Sequence, residues 1–275
     1  MTEGFSRPQP PQRRRRRDPT PLHVSIPSLG ATCRWIREDR DLTREQAARV
    51  LRLSTSHLRR IERGVSMPHQ NTLQAIIRGY HLPQAMATHL HDLVIPAIPL
   101  TPVEHLRTHV LADTALTLNL ERFQAREVLA SYVDPMGNML ARNDLFANTL
   151  TGIDGIGSFP VWMFSEHSKD VLIDPESECS WSVSMLKAAL GRHRASTQAR
   201  DLVHAMASIS QAQQQWAASL SVSHGRDSSF LMHAYDASRN PVSYQIAMTD
   251  GILAQHIQLF TATPEPYSGP ELHQP

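Results

Sequence analysis

Residues Thr43 to Gly64 read TREQAARVLRLSTSHLRRIERG, and this stretch decides the fold of the first third of the chain. Thr43 and Gln46 have the spacing of a capping box. The Thr43 hydroxyl can accept from the Gln46 N–H while the Gln46 side chain reaches back to the Thr43 N–H. Ala47, Ala48, Val50 and Leu51 give the helix that follows a small, close-packing face. Leu53-Ser54 opens a second helix: Ser54 caps it, and Leu53 staples onto Leu58. Leu58 and Ile61 form the inner edge of that helix, and Gly64 sits where a left-handed stop is expected.

Flanking residues extend the pattern. Leu29, Cys33 and Ile36 fall at i, i+4, i+7 and share one face of a preceding helix. A fourth helix carries Leu73, Ile76, Ile77 and Tyr80, and a fifth runs from Leu82-Pro83 through Leu90, Leu93 and Val94. Two short helices joined by a three- or four-residue turn, the second opening with small polar residues, read as a helix-turn-helix. The second helix would present Thr55, Ser56, His57, Arg59, Arg60 and Arg63. Thr55, Ser56 and Arg59 or Arg60 are placed to reach base edges in the major groove, where arginine can bind guanine bidentately. Arg44, at the start of the preceding helix, is placed to grip a phosphate beside free backbone N–H groups.

Charge supports that reading. Residues 1–100 contain 16 Arg, no Lys and 8 Asp and Glu, a net +8 within a chain whose formal charge is +1. The remaining 175 residues hold 11 basic and 18 acidic residues, a net −7. A basic segment joined to an acidic one suggests that the first meets a polyanion. Residues 1–28 read as a proline-rich arm holding five consecutive arginines, Arg13 to Arg17. The arm is either a solvated, self-repelling tail or a reach toward DNA phosphates and the minor groove.

These residues carry a resemblance. Leu42 to Ala48, Leu53 to Gly64, Pro68 and Thr72-Leu73 resemble the xenobiotic-response-element (XRE) family of helix-turn-helix regulators, related to the phage lambda-type repressors. The resemblance covers residues 29–95 and implies a five-helix DNA-binding domain. It implies that Thr55, Ser56 and Arg60 face bases, that Arg44 contacts phosphate, and that Glu62 pairs with an arginine of the first helices. Arg52 stands where the family usually has glycine; it either strains the turn or adds a phosphate contact. His69 stands where a better cap is usual. The expected DNA-contacting set is therefore Arg44, Arg52, Ser54, Thr55, Ser56, His57, Arg59, Arg60 and Arg63.

Pro96, Pro99 and Pro102 mark a stiff linker over 96–102, after which the pattern changes. Residues 103–126 look helical, 127–134 and 139–142 look like strands around the turn Pro135 to Asn138, and 143–150 like a short helix. Helical stretches follow near 161–173, 178–191 and 197–218. Strands are expected over 229–235, 242–249 and 256–262, with a tail from 266. The expected architecture is mainly α, with an α+β second domain over 103–265 whose small antiparallel sheet is covered by helices.

That segment has no Gly-rich phosphate loop, no G-x-S-x-G and no H-E-x-x-H. His105 and His109 share a helix face but lack a third and fourth ligand in a recognisable pattern, so no metal is assigned. What it has is an apolar inventory: Trp162-Met163-Phe164, Trp181 with Met185 and Leu186, Trp216, and the alternating strand around Met232. Val128 to Ala130, Met139 to Asn143, Trp162 to Phe164, Trp181, Trp216-Ala217, Met232-His233 and Gln255 to Phe260 resemble the MmyB-like ligand-binding domain found behind XRE-type domains, mainly in actinobacteria. The acidic residue and proline common after Phe164 are absent, and Ala234 replaces a common proline. The resemblance implies a PAS-like fold, a small apolar or fatty-acid-like ligand, and Trp162, Phe164, Trp181, Trp216 and His233 near its pocket.

No apolar run reaches the ~20 residues a membrane helix needs, and no apolar stretch or cleavage site of a secretory signal follows the arginines. Two cysteines, Cys33 and Cys179, are too few for a disulfide framework. The expectation is a cytoplasmic, nucleoid-associated regulator without a cofactor, a homodimer on a palindromic double-stranded DNA operator, and not an enzyme. The rivals are a DNA-tethered enzyme acting on a small molecule and a C-terminal protein-docking module without a ligand.

Overall fold

The computed structural model describes residues 23–252 and 256–272. The arginine run 13–17 lies outside them. The first unit is five helices: α1 Leu29–Asp39, α2 Arg44–Leu51, α3 Thr55–Glu62, α4 Gln70–Gly79 and α5 Gln84–Val94. Each start has a local cause. The Ser28 hydroxyl accepts from Ala31 N at the head of α1, and Ser54 does the same for His57 N at the head of α3. The expected capping box at α2 is present, with Gln46 N to Thr43 Oγ1 at 3.2 Å and Thr43 N to Gln46 Oε1 at 2.8 Å. His69 precedes α4 without any side-chain cap. Leu29, Cys33 and Ile36 meet Ala47, Ala48, Leu51, Leu58, Ile61, Leu73, Ile76 and Leu90 in one core. Gly30 lets α1 lie directly on α3: a Cβ there would sit 2.7 Å from the Ile61 carbonyl oxygen.

The second unit opens with α6 Val103–Ala112 and α7 Thr114–Gln124, then β1 Leu129–Val133 and β2 Met139–Arg142. A helical excursion follows: α8 Asp144–Thr149, α9 Ile153–Ile156, α10 Phe159–Trp162, α11 Glu166–Val171, α12 Pro175–Arg192, α13 Thr197–Ala207 and α14 Ser210–Ala218. The chain returns as β3 Met232–Tyr235, β4 Pro241–Ile252 and β5 Ile257–Glu265. All pairings are antiparallel, in the order β2-β1-β5-β4-β3. β1 is central enough that all five of its residues are buried. Its alternation divides them: Leu129 and Val133 face the core under α8–α14, while Ala130 and Tyr132 face α6 and α7.

The fold agrees with the expected class, and boundaries differ where capping decides them. The single helix expected over 103–126 breaks at Asp113, whose carboxylate accepts from Ala115 N and Leu116 N and starts α7. The stretch 161–173 breaks around Ser165, which caps α11, and 197–218 breaks at Ser208-Ile209. The residues expected as a tail are partly tied down: Ser268 N donates to Ser243 Oγ, and the Tyr267 ring packs edge-on against His233. The expected linker is likewise docked. Ile98 N donates to Arg192 O, Gln198 Nε2 donates to Thr101 O, and Thr101 Oγ1 lies 2.8 Å from His256 Nδ1.

Candidate functional site

The turn between α2 and α3 is Arg52, Leu53 and Ser54. Leu53 N donates to Ala48 O and Arg52 N to Arg49 O, a Schellman closure that needs a left-handed residue between them. Arg52 occupies that conformation at φ 54, ψ 40. Of the two alternatives raised by the missing glycine, the strained turn is therefore the one the chain adopts. Arg52→Gly is expected to raise stability by about 1 kcal/mol; a urea midpoint that stays put or falls would show that the turn carries no strain.

α3 divides by face. Leu58, Ile61 and Glu62 are buried. Ser56, Arg60 and Arg63, at i, i+4, i+7, share an exposed face, with Arg59 exposed beside it. Thr55 and His57 are half-buried at the start of the helix. Ser54 is occupied as the cap, its hydroxyl 3.1 Å from His57 N.

Arg44, expected to grip a phosphate, is held by Glu62 and remains part-exposed: its Nε donates to Glu62 Oε2 at 2.7 Å, and its side chain is 38% exposed. The Glu62 side chain is fully buried, and Arg37 Nε meets its Oε1 at 2.5 Å. Arg37 also donates to Glu62 Oε2 and to Leu42 O, which ties α1 to the loop before α2. Burial alone lowers the Arg37 pKa, but the carboxylates of Glu62 and Glu38 outweigh it and raise it. Arg34 Nη2 donates to the Glu62 carbonyl at 3.0 Å. The expected pairing of Glu62 with arginines of the first helices is thus present, and it fixes α3 against α1 and α2.

Residues 28–90 match the family model of a helix-turn-helix domain. The chain carries that domain, the architecture of a DNA-binding regulator, in front of a mixed α and β unit. No curated protein matches the chain.

The second unit holds a cleft with about 150 Å³ of space between the sheet and α12. Its apolar wall is Val133, Met136, Phe159, Trp181, Met185 and Phe260; Ser223 and His224 are part of its polar wall. Of the five expected pocket residues, Trp181 alone lines it. Trp162 is fully buried in the core, where its Nε1 donates to Thr151 O. Phe164 and Trp216 are also core residues. His233 sits on strand β3 with Nδ1 2.9 Å from Ser243 Oγ. Large aromatic side chains fill volume wherever the core is deepest, so a tryptophan in the sequence does not separate core from cavity wall. Val133, Met136 and Phe159 were not anticipated; the turn Pro135 to Asn138 was a signal for Val133 and Met136 only.

Asp134 is the buried carboxylate on the cleft wall. Burial raises its pKa, opposed by hydrogen bonds from the Asn138 side chain and from the N–H groups of Asn138 and Met136. Both oxygens are thereby used to shape its own turn. Cys33 and Cys179 are buried free thiols pushed up to about 12, chiefly by burial, which makes them inert as nucleophiles. Among the described residues no three His, Cys, Asp or Glu side chains are grouped to hold a metal, and no helix is long and apolar enough to cross a membrane.

Proposed function

We propose that this protein is a sequence-specific transcription regulator of the XRE type, which reads a palindromic operator as a homodimer. The observation that carries the reading is the exposed Ser56/Arg60/Arg63 face of α3, held rigid from behind by Leu58, Ile61 and the Glu62 network. A reading helix needs both properties: side chains free to reach base edges, and a scaffold that fixes their register. Ser56 and Arg60, with Thr55 and Arg59 beside them, supply the base contacts, and Arg63 contacts phosphate. Dimerisation follows from the gain in affinity when two half-sites about one helical turn apart are bound together.

The second unit is a sensor of a small apolar ligand, of the MmyB-like, PAS-like kind. Its antiparallel five-stranded sheet with helices packed against it, and the mainly apolar cleft beneath α12, support this. Methionines at 136 and 185 suit a site that adapts to flexible hydrocarbon. No catalytic role is assigned, because the one buried carboxylate on the cleft wall is already saturated by its own turn.

The test uses DNA selected from a random pool by the wild-type protein. Arg60→Ala is expected to weaken binding to the selected site by about 1–3 kcal/mol, roughly 5- to 150-fold, with little change on random DNA. An equal loss on both would assign Arg60 to phosphate and remove its base-reading role.

A further inference from the structure

We propose that residues 219–225 are a two-sided strap that mechanically couples the cleft to the DNA-binding domain. One side of this segment closes the cleft, and the other completes the core of the helix-turn-helix unit.

The strap leaves α14 after Ala218 and is fixed at both ends. At the first end, the Lys187 ammonium on α12 donates to the carbonyls of Trp216, at 3.1 Å, and Ser219. That ammonium lies over the rings of Trp216 and of Trp35 on α1, so the anchor already spans both units. At the other end, Arg226 makes a bidentate pair with Glu178, at 2.7 and 2.6 Å, with both side chains 3% exposed. The Arg226 guanidinium also stacks over Trp181, itself on the cleft wall.

Between these anchors the contacts divide. Leu220 and Val222 pack against the apolar core of the five-helix unit. His224 reaches the Ala85 carbonyl in the first turn of α5, at 3.1 Å. Ser223 and His224 form part of the cleft wall, and Ser223 N donates to Ser184 O on α12. Three consecutive residues thus touch the five-helix core, the cleft and α5 in turn. An occupant that displaces Ser223 and His224 cannot leave Leu220 and Val222 where they are. Close-packed cores do not absorb such a shift continuously, so it passes to α5, which packs on α1 and α4 and through α1 on α3.

The regulatory use of this link rests on the cleft being a ligand site; the link itself is tested without any ligand. Ala189 lies on the cleft wall, and Ala189→Phe in the full chain fills the space from within. Amide hydrogen exchange is read at residues 84–90 and 219–225, and affinity is read on the selected DNA. The expected result is a change of about fivefold or more in exchange at 84–90 and in DNA affinity, the range typical of coupled sites. In a background carrying Leu220→Ser and Val222→Ser, which undocks the strap, the same filling substitution should leave residues 84–90 unchanged. A response of equal size in both backgrounds, or none in the first, overturns the proposal. Met185→Trp, which enlarges a side chain already on the wall, repeats the comparison should Ala189→Phe not fold. Whether dodecanoate displaces the dye 8-anilinonaphthalene-1-sulfonate from the wild-type protein is a separate measurement. Failure there counts against the ligand reading and leaves the result on the link standing.

Discussion

Glu62→Ala is expected to destabilise the five-helix unit by about 3–5 kcal/mol and to abolish DNA binding with it. The size follows from what the substitution leaves behind. Glu62 is 2% exposed and Arg37 is 6% exposed, so the guanidinium would remain buried without its carboxylate. Arg37 cannot lose its proton to escape, because guanidinium stays charged at any relevant pH. Arg44 would lose its partner too, but it is part-exposed and can turn to water at little cost. Arg37 would keep its bond to Leu42 O and its contact with Glu38, so α1 would stay attached to the loop before α2. The damage falls on the seating of α3. Glu62→Gln keeps the volume and one acceptor, and should cost less than the alanine. Urea unfolding followed by far-UV circular dichroism checks the order, and a loss under about 1 kcal/mol for Glu62→Ala would mean the triad is not what seats α3. Arg59→Ala provides the contrast. Its side chain is exposed and has no hydrogen bond or ion pair among the described residues, so its stability should change by less than about 0.5 kcal/mol.

The triad also shows how far the sequence could be read. Local chemistry was legible because it is settled within four residues: Thr43 with Gln46, Ser54 with His57, and the left-handed position at Arg52. That Glu62 would meet an arginine of the first helices came from the resemblance to XRE-type domains rather than from local spacing. Which arginine it would be was not legible. Arg34, Arg37 and Arg40 follow one another at three-residue spacing along α1 and its C-cap, yet they serve the Glu62 carbonyl, the Glu62 carboxylate and the Tyr80 carbonyl respectively. Only the packing of α1 against α3, and of the end of α1 against the end of α4 at Tyr80, distinguishes them. The cleft was less accessible still. Its walls come from β1 and the turn after it, α10, α12, residues 223–224, β4 and β5, and β1 pairs with β5 across about 130 residues of chain, Leu129 with Ala262 and Val133 with Gln258. No periodicity within one segment announces which of its apolar residues will border a void. The linker misled for the same reason. Three prolines make a stiff connection, but its docking depends on Arg192 and Gln198, nearly 100 residues away.

Acid is expected to loosen the junction between the two units through His89. This residue lies on α5, 2% exposed, against α12 at Gly191. A Cβ at Gly191 would sit 2.5 Å from His89 Cε1, so the ring occupies the space that a side chain would have taken. Its Nδ1 has no hydrogen-bond partner among the described residues. Burial, and then the positive neighbours His224 on the strap and Lys187 on α12, pull its pKa from 6.5 down to about 4. The ring is therefore neutral in the folded protein, while in the unfolded chain it takes up a proton below 6.5. The contribution to stability is whole above pH 6.5 and is lost as pH falls toward 4, reaching a loss of about 2–3 kcal/mol by about pH 4.5. Lys187 has a separate window. Burial lowers its pKa from 10.5 to about 7, so its effect on stability changes between those values and is constant below them. The measurement is the difference in unfolding free energy between wild type and His89→Gln, which cannot titrate, from about pH 7.5 to about pH 4.5. That difference should shift by about 2–3 kcal/mol toward the variant as pH falls. A difference that stays constant across the range would show that His89 is protonated as readily in the fold as out of it, and that the seat against Gly191 is not dry.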